Sequence, residues 1–458
     1  MIEIKNLSYS YPLSHKKIIN GIDLTVDKGD LVLITGPSGS GKSTFLYCLN
    51  GLVPHVFSGD MSGSVMIADV DPRLTPISEI SRRVGTVFQN PEYQIFMPTV
   101  REDVEFGCRN VGLEEESLER NSRHAILELG LDELLDRDTS TLSAGEKQRL
   151  AIAGVYAVGP QIILFDEPST NLDVAGKQSL RKIIKELKDR CYTIVLVEHD
   201  TALFEDIATR IYVMENGVLK TGDDAHKSTI RERKAHNFCQ DFDAIIEVQD
   251  VSYGYDKSSP FFNHLNMIIR KQEVVAFMGN NGSGKTTFFK LLMGILKPQE
   301  GRIAVAGDII RSIDDSAGRI GLLFQNPDEQ LFASTVREEI MLGPRQLKKA
   351  CDCEDIMARF DLKKYEYVHP HALSKGERQK VAFASVAALR PDIILLDEPT
   401  TGLDEKSWLA LMDYAFSLVK EGTTVLFSTH NRKVADFYAD RVVVFDKGRV
   451  ISDEIPKD

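Results

Sequence analysis

Short, almost wholly apolar runs alternate with amphipathic stretches along this chain of 458 residues. DLVLITG (30–36) and EVVAFMG (273–279) read as buried strands that end on glycine. KSTFLYCLNGL and KTTFFKLLMGI follow them with apolar residues at helical spacing. QIILFDEP (161–168) and DIILLDEP (392–399) are buried strands closed by two acids and a helix-disfavouring proline. TIVLVEH (193–199) and TTVLFSTH (423–430) are further strands. Strands alternating with helices in this way predict an α/β fold with a mainly parallel sheet.

Every one of these patterns occurs twice. Lys42 and Lys285 are 243 positions apart, whereas Asp166 and Asp397, like His199 and His430, are 231 apart. The shrinking offset with preserved motif order is what loop deletions between fixed elements leave behind. The chain therefore reads as two copies of one domain, residues 1–222 and 244–458, joined by a polar, charge-mixed linker at 223–243. FQNPEYQIF (88–96) and FQNPDEQLF (324–332) belong to the same repetition.

Composition narrows the class. A charged fraction of 27% and a hydrophobic fraction of 43% are those of a soluble globular protein. No run approaches the roughly 18–20 apolar residues that span a bilayer, and the first residues lack a signal-peptide pattern. Six scattered cysteines offer no C-x-x-C spacing, so neither a disulfide framework nor a zinc site is expected. A net charge of −13 argues against a nucleic-acid surface, which needs a basic footprint.

The doubled motifs carry phosphate chemistry. GPSGSGKST (36–44) and GNNGSGKTT (279–287) fit G-x-x-x-x-G-K-[ST] between a strand and a helix. In such a loop Gly36, Ser38, Gly39 and Gly41, with Gly279, Asn281, Gly282 and Gly284, wrap a phosphate. Lys42 and Lys285 reach its outer oxygens, and Ser43 and Thr286, beside Thr44 and Thr287, offer hydroxyls to Mg²⁺ and phosphate. Asp166 and Asp397 end apolar strands where a carboxylate could hold the metal, and Glu167 and Glu398 could deprotonate the attacking water. His199 and His430 each follow the aspartate by 33 residues and are candidate γ-phosphate sensors.

Phosphate loop, FQ, LSAGEKQR (142–149) or LSKGERQK (373–380), DEPSTNLD or DEPTTGLD, then histidine: this order resembles the ATPase subunits of ATP-binding cassette (ABC) systems, over nearly the whole chain and twice. The resemblance implies two tandem P-loop ABC ATPase domains. Each would have a mainly parallel sheet core, an antiparallel β subdomain and a helical subdomain carrying the signature motif. It also implies that Tyr11 and Tyr255 stack on adenine, and that Gln89 and Gln325 link the γ-phosphate and Mg²⁺ to a partner. Ser143 with Gly145, and Ser374 with Gly376, would cap a nucleotide held by the opposite half. Asp173 and Asp404 would couple the two sites. The halves would form an intramolecular pseudo-dimer around two ATP molecules. Both signatures depart from LSGGQ, with Ala144 and Lys375 for the first glycine and Glu146 and Glu377 for glutamine, which puts equal turnover in doubt.

Residues 90–96 and 326–332 resemble the short extra helix after FQ in energy-coupling factor importers, and TVREDVEFG (99–107) and TVREEIMLG (335–343) continue that likeness. This implies a motor at the cytoplasmic face of a membrane, docked there to a transmembrane scaffold subunit and working with a membrane substrate-binding subunit. Glu92, Asp328 and Glu329 suggest that the scaffold presents basic coupling helices. The cargo in that family is a vitamin, a vitamin precursor or a transition metal; this chain does not specify which. The alternatives are the ATPase of another ABC transporter class and a soluble tandem ABC protein of translation.

Overall fold

The computed structural model describes the chain apart from residues 13–16, 38, 171, 200, 223–241, 257–259, 401–402, 404 and 457–458. Ser38, Asp404 and most of the expected linker thus lie outside the described residues, as does the side chain of Lys375. The chain divides into two compact units, Met1–Ser228 and Thr229–Asp458.

In the first unit a six-stranded sheet runs Val84–Val87, Ile162–Asp166, Thr193–Val197, Leu31–Thr35, Arg210–Glu215, Val218–Thr221. Neighbours are parallel except for the last, antiparallel pair. Successive residues of a strand face opposite sides of a sheet, so strands covered on both sides must be apolar throughout. That is the origin of the continuous runs. Leu31, Leu33, Phe165 and Leu196 pack on one face with the helices Val100–Asn110, Ala144–Val158 and Val174–Asp189. Val32, Ile34, Leu164 and Val197 pack on the other with Phe45, Leu46 and Leu49 of the helix Lys42–Leu49. A three-stranded antiparallel sheet, in the order Ile19–Val26, Ile2–Ser10, Asp60–Ile67, closes that second core through Ile2, Ile4 and Leu24.

The second unit repeats the plan. Its six-stranded sheet runs Ile320–Leu323, Ile393–Leu396, Thr424–Ser428, Val274–Met278, Arg441–Asp446, Arg449–Glu454, again parallel except at the end. A four-stranded antiparallel sheet is built around Ala244–Tyr253. Val274, Ala276, Leu396 and Phe427 face the helical side, while Val275, Phe277, Leu395 and Leu426 face the antiparallel side. The signature motifs open the helices Ala144–Val158 and Lys375–Ala388. Each unit is thus an α/β P-loop ATPase fold with parallel core, antiparallel sheet and helical part.

Candidate functional site: two phosphate loops with acid pairs

Each phosphate loop leaves the C-terminal end of a central strand. Gly36 has φ +145°, and a Cβ there would stand 2.1 Å from the Met214 carbonyl oxygen. Gly279 has φ +142°, and its Cβ would lie 2.3 Å from the Phe445 oxygen. These glycines let the loop pass against the neighbouring strand. Gly39 and Gly282 differ in kind: φ is +75° and +77°, and a Cβ would meet nothing within 4 Å. There the backbone conformation requires glycine and the space in front of it is open. Gly41 and Gly284 precede the helices in left-handed conformations, which aims the first helical N–H groups into the loop. Lys42 Nζ donates to the Gly36 and Pro37 carbonyls at 2.9 and 3.1 Å. Lys285 Nζ does the same to Gly279 and Asn280 at 2.6 and 3.3 Å.

Strand ends bring the acids to the loops. Ser43 Oγ donates to Asp166 Oδ1 at 3.1 Å, and Thr286 Oγ1 to Asp397 Oδ2 at 2.6 Å. Hydroxyl and carboxylate oxygens side by side are hard donors that suit Mg²⁺. Glu167 lies 3.6 Å from Lys42 Nζ and 2.9 Å from His199 Nε2, and its other oxygen accepts from Gln89 Nε2 at 2.8 Å. Glu398 lies 3.7 Å from Lys285 Nζ and 3.0 Å from His430 Nδ1. Both glutamates are buried and take left-handed backbone, φ +46° and +47°. Strain of this kind costs about 1–3 kcal/mol per residue and persists where surrounding contacts hold it. The restraint is visible: Glu167 N–H donates to the Val197 carbonyl at 2.9 Å, and Glu398 N–H to Ser428 Oγ at 2.7 Å.

Burial sets the electrostatics. It pushes Asp166 up to about 6, with the charge of Glu167 adding to the effect and Ser43 and Lys42 opposing it. Burial also raises Asp397. For Glu398 burial acts upward, but the His430 hydrogen bond and charge together with Lys285 outweigh it, and the carboxyl sits below its ordinary range. A carboxylate kept ionised beside a histidine and a lysine is suited to orient or deprotonate water.

The remaining candidates are placed as follows. Tyr11 and Tyr255 bond through their hydroxyls to Thr44 and Thr287 Oγ1, each at 3.1 Å, so both rings stand beside their loops. Gln325 is exposed and, unlike Gln89, shows no hydrogen bond to its glutamate among the described residues. Asp173 caps its helix, accepting from Gly176 N–H at 2.8 Å. Ser143 and Ser374 do likewise, each at the start of its signature helix. Glu146 Oε2 accepts the Ser143 N–H at 2.7 Å and Glu377 Oε2 the Ser374 N–H at 3.0 Å, completing a capping box at each signature helix. A Cβ at Gly145 would meet nothing within 4 Å, so that N-terminus is open to approach.

The FQNP echo has a structural content that its sequence did not announce. Pro91–Tyr93 and Pro327–Glu329 form single 3₁₀ turns. Gln94 and Gln330 each accept from the Phe of FQ and donate back into its strand. Buried Asp103 accepts the N–H groups of Phe96 and Met97, and buried Glu339 those of Phe332 and Ala333. Two of the acids expected at the docking face have ion-pair partners within their own unit. Glu92 pairs with Lys147 of the signature helix at 2.5 Å, and Asp328 with Arg378 at 2.7 Å. In and just after these turns, three aromatic residues stand out: Tyr93, Phe96 and Phe332 are 76%, 65% and 77% exposed. Sequence reasoning also missed Glu198 and Ser428, buried polar residues behind the two acid pairs.

Two loops of this geometry, each with its lysine, hydroxyl, acid pair and histidine, define a tandem P-loop nucleotide-binding protein. Comparison with known proteins gives the family: the model for ABC transporter ATP-binding domains matches residues 19–170 and again 262–401. A protein of Caldanaerobacter subterraneus subsp. tengcongensis, provisionally named an ABC transporter ATP-binding protein, is 35% identical over 98% of this chain and 90% of its own length. A similarly named protein of Methanosarcina mazei is 33% identical over 99% of this chain and 88% of its own. The chain belongs to the ABC transporter family and is an ATPase. A solved archaeal ribosome recycling factor, aABCE1 in complex with the stalk protein aP1, shares the fold at a TM-score of 0.66 and 22% identity, over 97% of this chain and 88% of that one.

Proposed function

We propose that this chain is the ATP-hydrolysing motor of an energy-coupling-factor-type importer, with two ATP sites in one polypeptide. The observation that carries the two-site reading is the recurrence of the whole cluster. Lysine, metal-facing hydroxyl, aspartate, glutamate and histidine meet within hydrogen-bond or ion-pair range in both units. Lys42 and Lys285 leave the loop carbonyls for the β- and γ-phosphates, while Tyr11 and Tyr255 take the adenine. Ser43, Asp166 and Gln89, with Thr286, Asp397 and Gln325, would hold Mg²⁺, which would neutralise charge on the transferring phosphoryl group. Glu167 and Glu398 position and deprotonate the attacking water, and His199 and His430 fix those glutamates and report the γ-phosphate.

The partner reading rests on the exposed aromatic residues in and just after the two 3₁₀ turns. Exposed aromatic anchors on hydrogen-bonded turns suit an apolar groove-and-helix contact with a transmembrane scaffold. The cargo would be a micronutrient bound by a separate membrane subunit. Affinity purification of the full chain from solubilised membranes tests this directly. Membrane subunits should co-purify with the native protein and be lost from a Tyr93→Ser, Phe96→Ser, Phe332→Ser triple variant whose ATPase stays within about twofold. Co-sedimentation with ribosomes and no membrane partner would replace the importer reading with a role in translation.

A further inference from the structure

Behind the first acid pair lies a carboxylate that the mechanism above does not use. Glu198 directly follows the strand Thr193–Val197, precedes His199 and is 2% exposed. Its backbone N–H donates to the Ile34 carbonyl at 3.0 Å, which seats it between the phosphate-loop strand and the histidine. Oε1 accepts the Ser169 N–H at 2.9 Å, and Oε2 accepts the His199 N–H at 3.1 Å. Ser169 stands two residues after Glu167, across Pro168. One side chain thus ties together the backbone just beyond the catalytic glutamate and the backbone of the histidine that touches it.

The second unit solves the same problem with different atoms. Thr429 occupies the equivalent place, and its Oγ1 accepts the Asn431 N–H at 3.0 Å. The bracing role passes to Ser428, whose hydroxyl accepts the Glu398 N–H at 2.7 Å and donates to Asp397 Oδ1 at 2.6 Å. Val197, at the place of Ser428, has no side-chain polar atom to do this. A buried carboxylate is costly to retain, and it persists where its hydrogen bonds are specific. Burial above all pushes Glu198 upward, with the charge of Glu167 adding and Ser169 and His199 opposing.

Resting on the two-site reading above, we propose that Glu198 is a positioning residue for the first ATP site alone. It holds Glu167 in its left-handed conformation and His199 against it, so that the two sites of one chain are tuned by unrelated side chains. Misplacing a catalytic group by about 1 Å costs on the order of a hundredfold in rate. Loss of the clamp should therefore lower turnover at the first site about ten- to a hundredfold.

The test uses the full chain with one site disabled at a time. In an E398Q background, where only the first site hydrolyses, E198A should lower kcat at least about tenfold with KM for ATP unchanged. E198Q, which keeps an oxygen for the Ser169 N–H, should recover a good part of that loss. In an E167Q background E198A should leave kcat as it was. Unchanged kcat in the E398Q chain overturns the proposal, as does an equal fall in both backgrounds or a KM that rises in step. If E198A fails to fold, E198Q alone must still lower first-site kcat, and an unaltered value overturns the idea. If disabling either site stops both, E198A is measured in the otherwise native chain, where unchanged kcat again overturns the proposal. Absence of any ATPase in the native chain would instead refute the two-site reading itself.

Discussion

Replacing Gly36 by alanine separates two reasons why a phosphate loop needs glycine. At φ +145° an L-residue carries backbone strain of about 1–3 kcal/mol. The new Cβ would also stand 2.1 Å from the Met214 carbonyl oxygen and 3.1 and 3.2 Å from its carbon and nitrogen. Those are backbone atoms of the adjacent strand and cannot rotate aside, so overpacking adds about 1–3 kcal/mol. The expected total is about 2–6 kcal/mol. For a domain of this size each kcal/mol lowers the melting point about 2–4 °C, so the first unit should melt roughly 4–24 °C lower. Gly39→Ala is the control. It meets nothing within 4 Å and carries only the left-handed cost of about 1–2 kcal/mol. Differential scanning calorimetry resolves both variants, and binding of a fluorescent ATP analogue distinguishes them further. Gly36→Ala should lose stability and binding together, Gly39→Ala mainly binding. Melting points for the two variants within about 2 °C of each other would refute the reasoning.

Two further outcomes follow from the same structure. Glu198 is pushed up to about 7 from an ordinary 4.5, so between those values the folded chain binds more protons than the unfolded one. The stability this group contributes is full below about pH 4.5 and is lost as pH rises through 7; denaturant titrations at about pH 5 and 8 should show a smaller decline in E198Q than in the native chain. Ser143→Ala and Ser374→Ala each remove the hydroxyl of a capping box and should cost their helix about 0.5–2 kcal/mol, read as a thermal shift. No shift in either would mean that the signature serines are not structural.

Much of this architecture could be read from the chain because each core strand is covered on both faces. Val32 and Leu33 must both be apolar to face different cores, and that produces short, continuous apolar runs. The phosphate loops were legible for a similar reason: the conformation of Gly36 and the reach of Lys42 tolerate few substitutes. Other features depend on pairings across the fold. Lys147 is 55 residues from Glu92, and no local pattern joins them. Glu198 looked like the polar end of an apolar strand; its two bonds exist only once Ser169 is brought beside it. Glu146 was in plain sight, since S-x-x-E is a helix-start pattern. Gln89 and Gln325 are alike in sequence, yet among the described residues only Gln89 is seen to bond its glutamate.

The most direct test of the account is steady-state ATP hydrolysis by four full-length chains: native, E167Q, E398Q and the double variant. Removing a general base costs on the order of 10²–10⁴ in rate. Each single variant should lose the turnover of its own site, and the double variant should fall to background while still binding ATP. Hydrolysis by the double variant within about tenfold of the native chain would contradict the assignment of Glu167 and Glu398, and with it the two-site account.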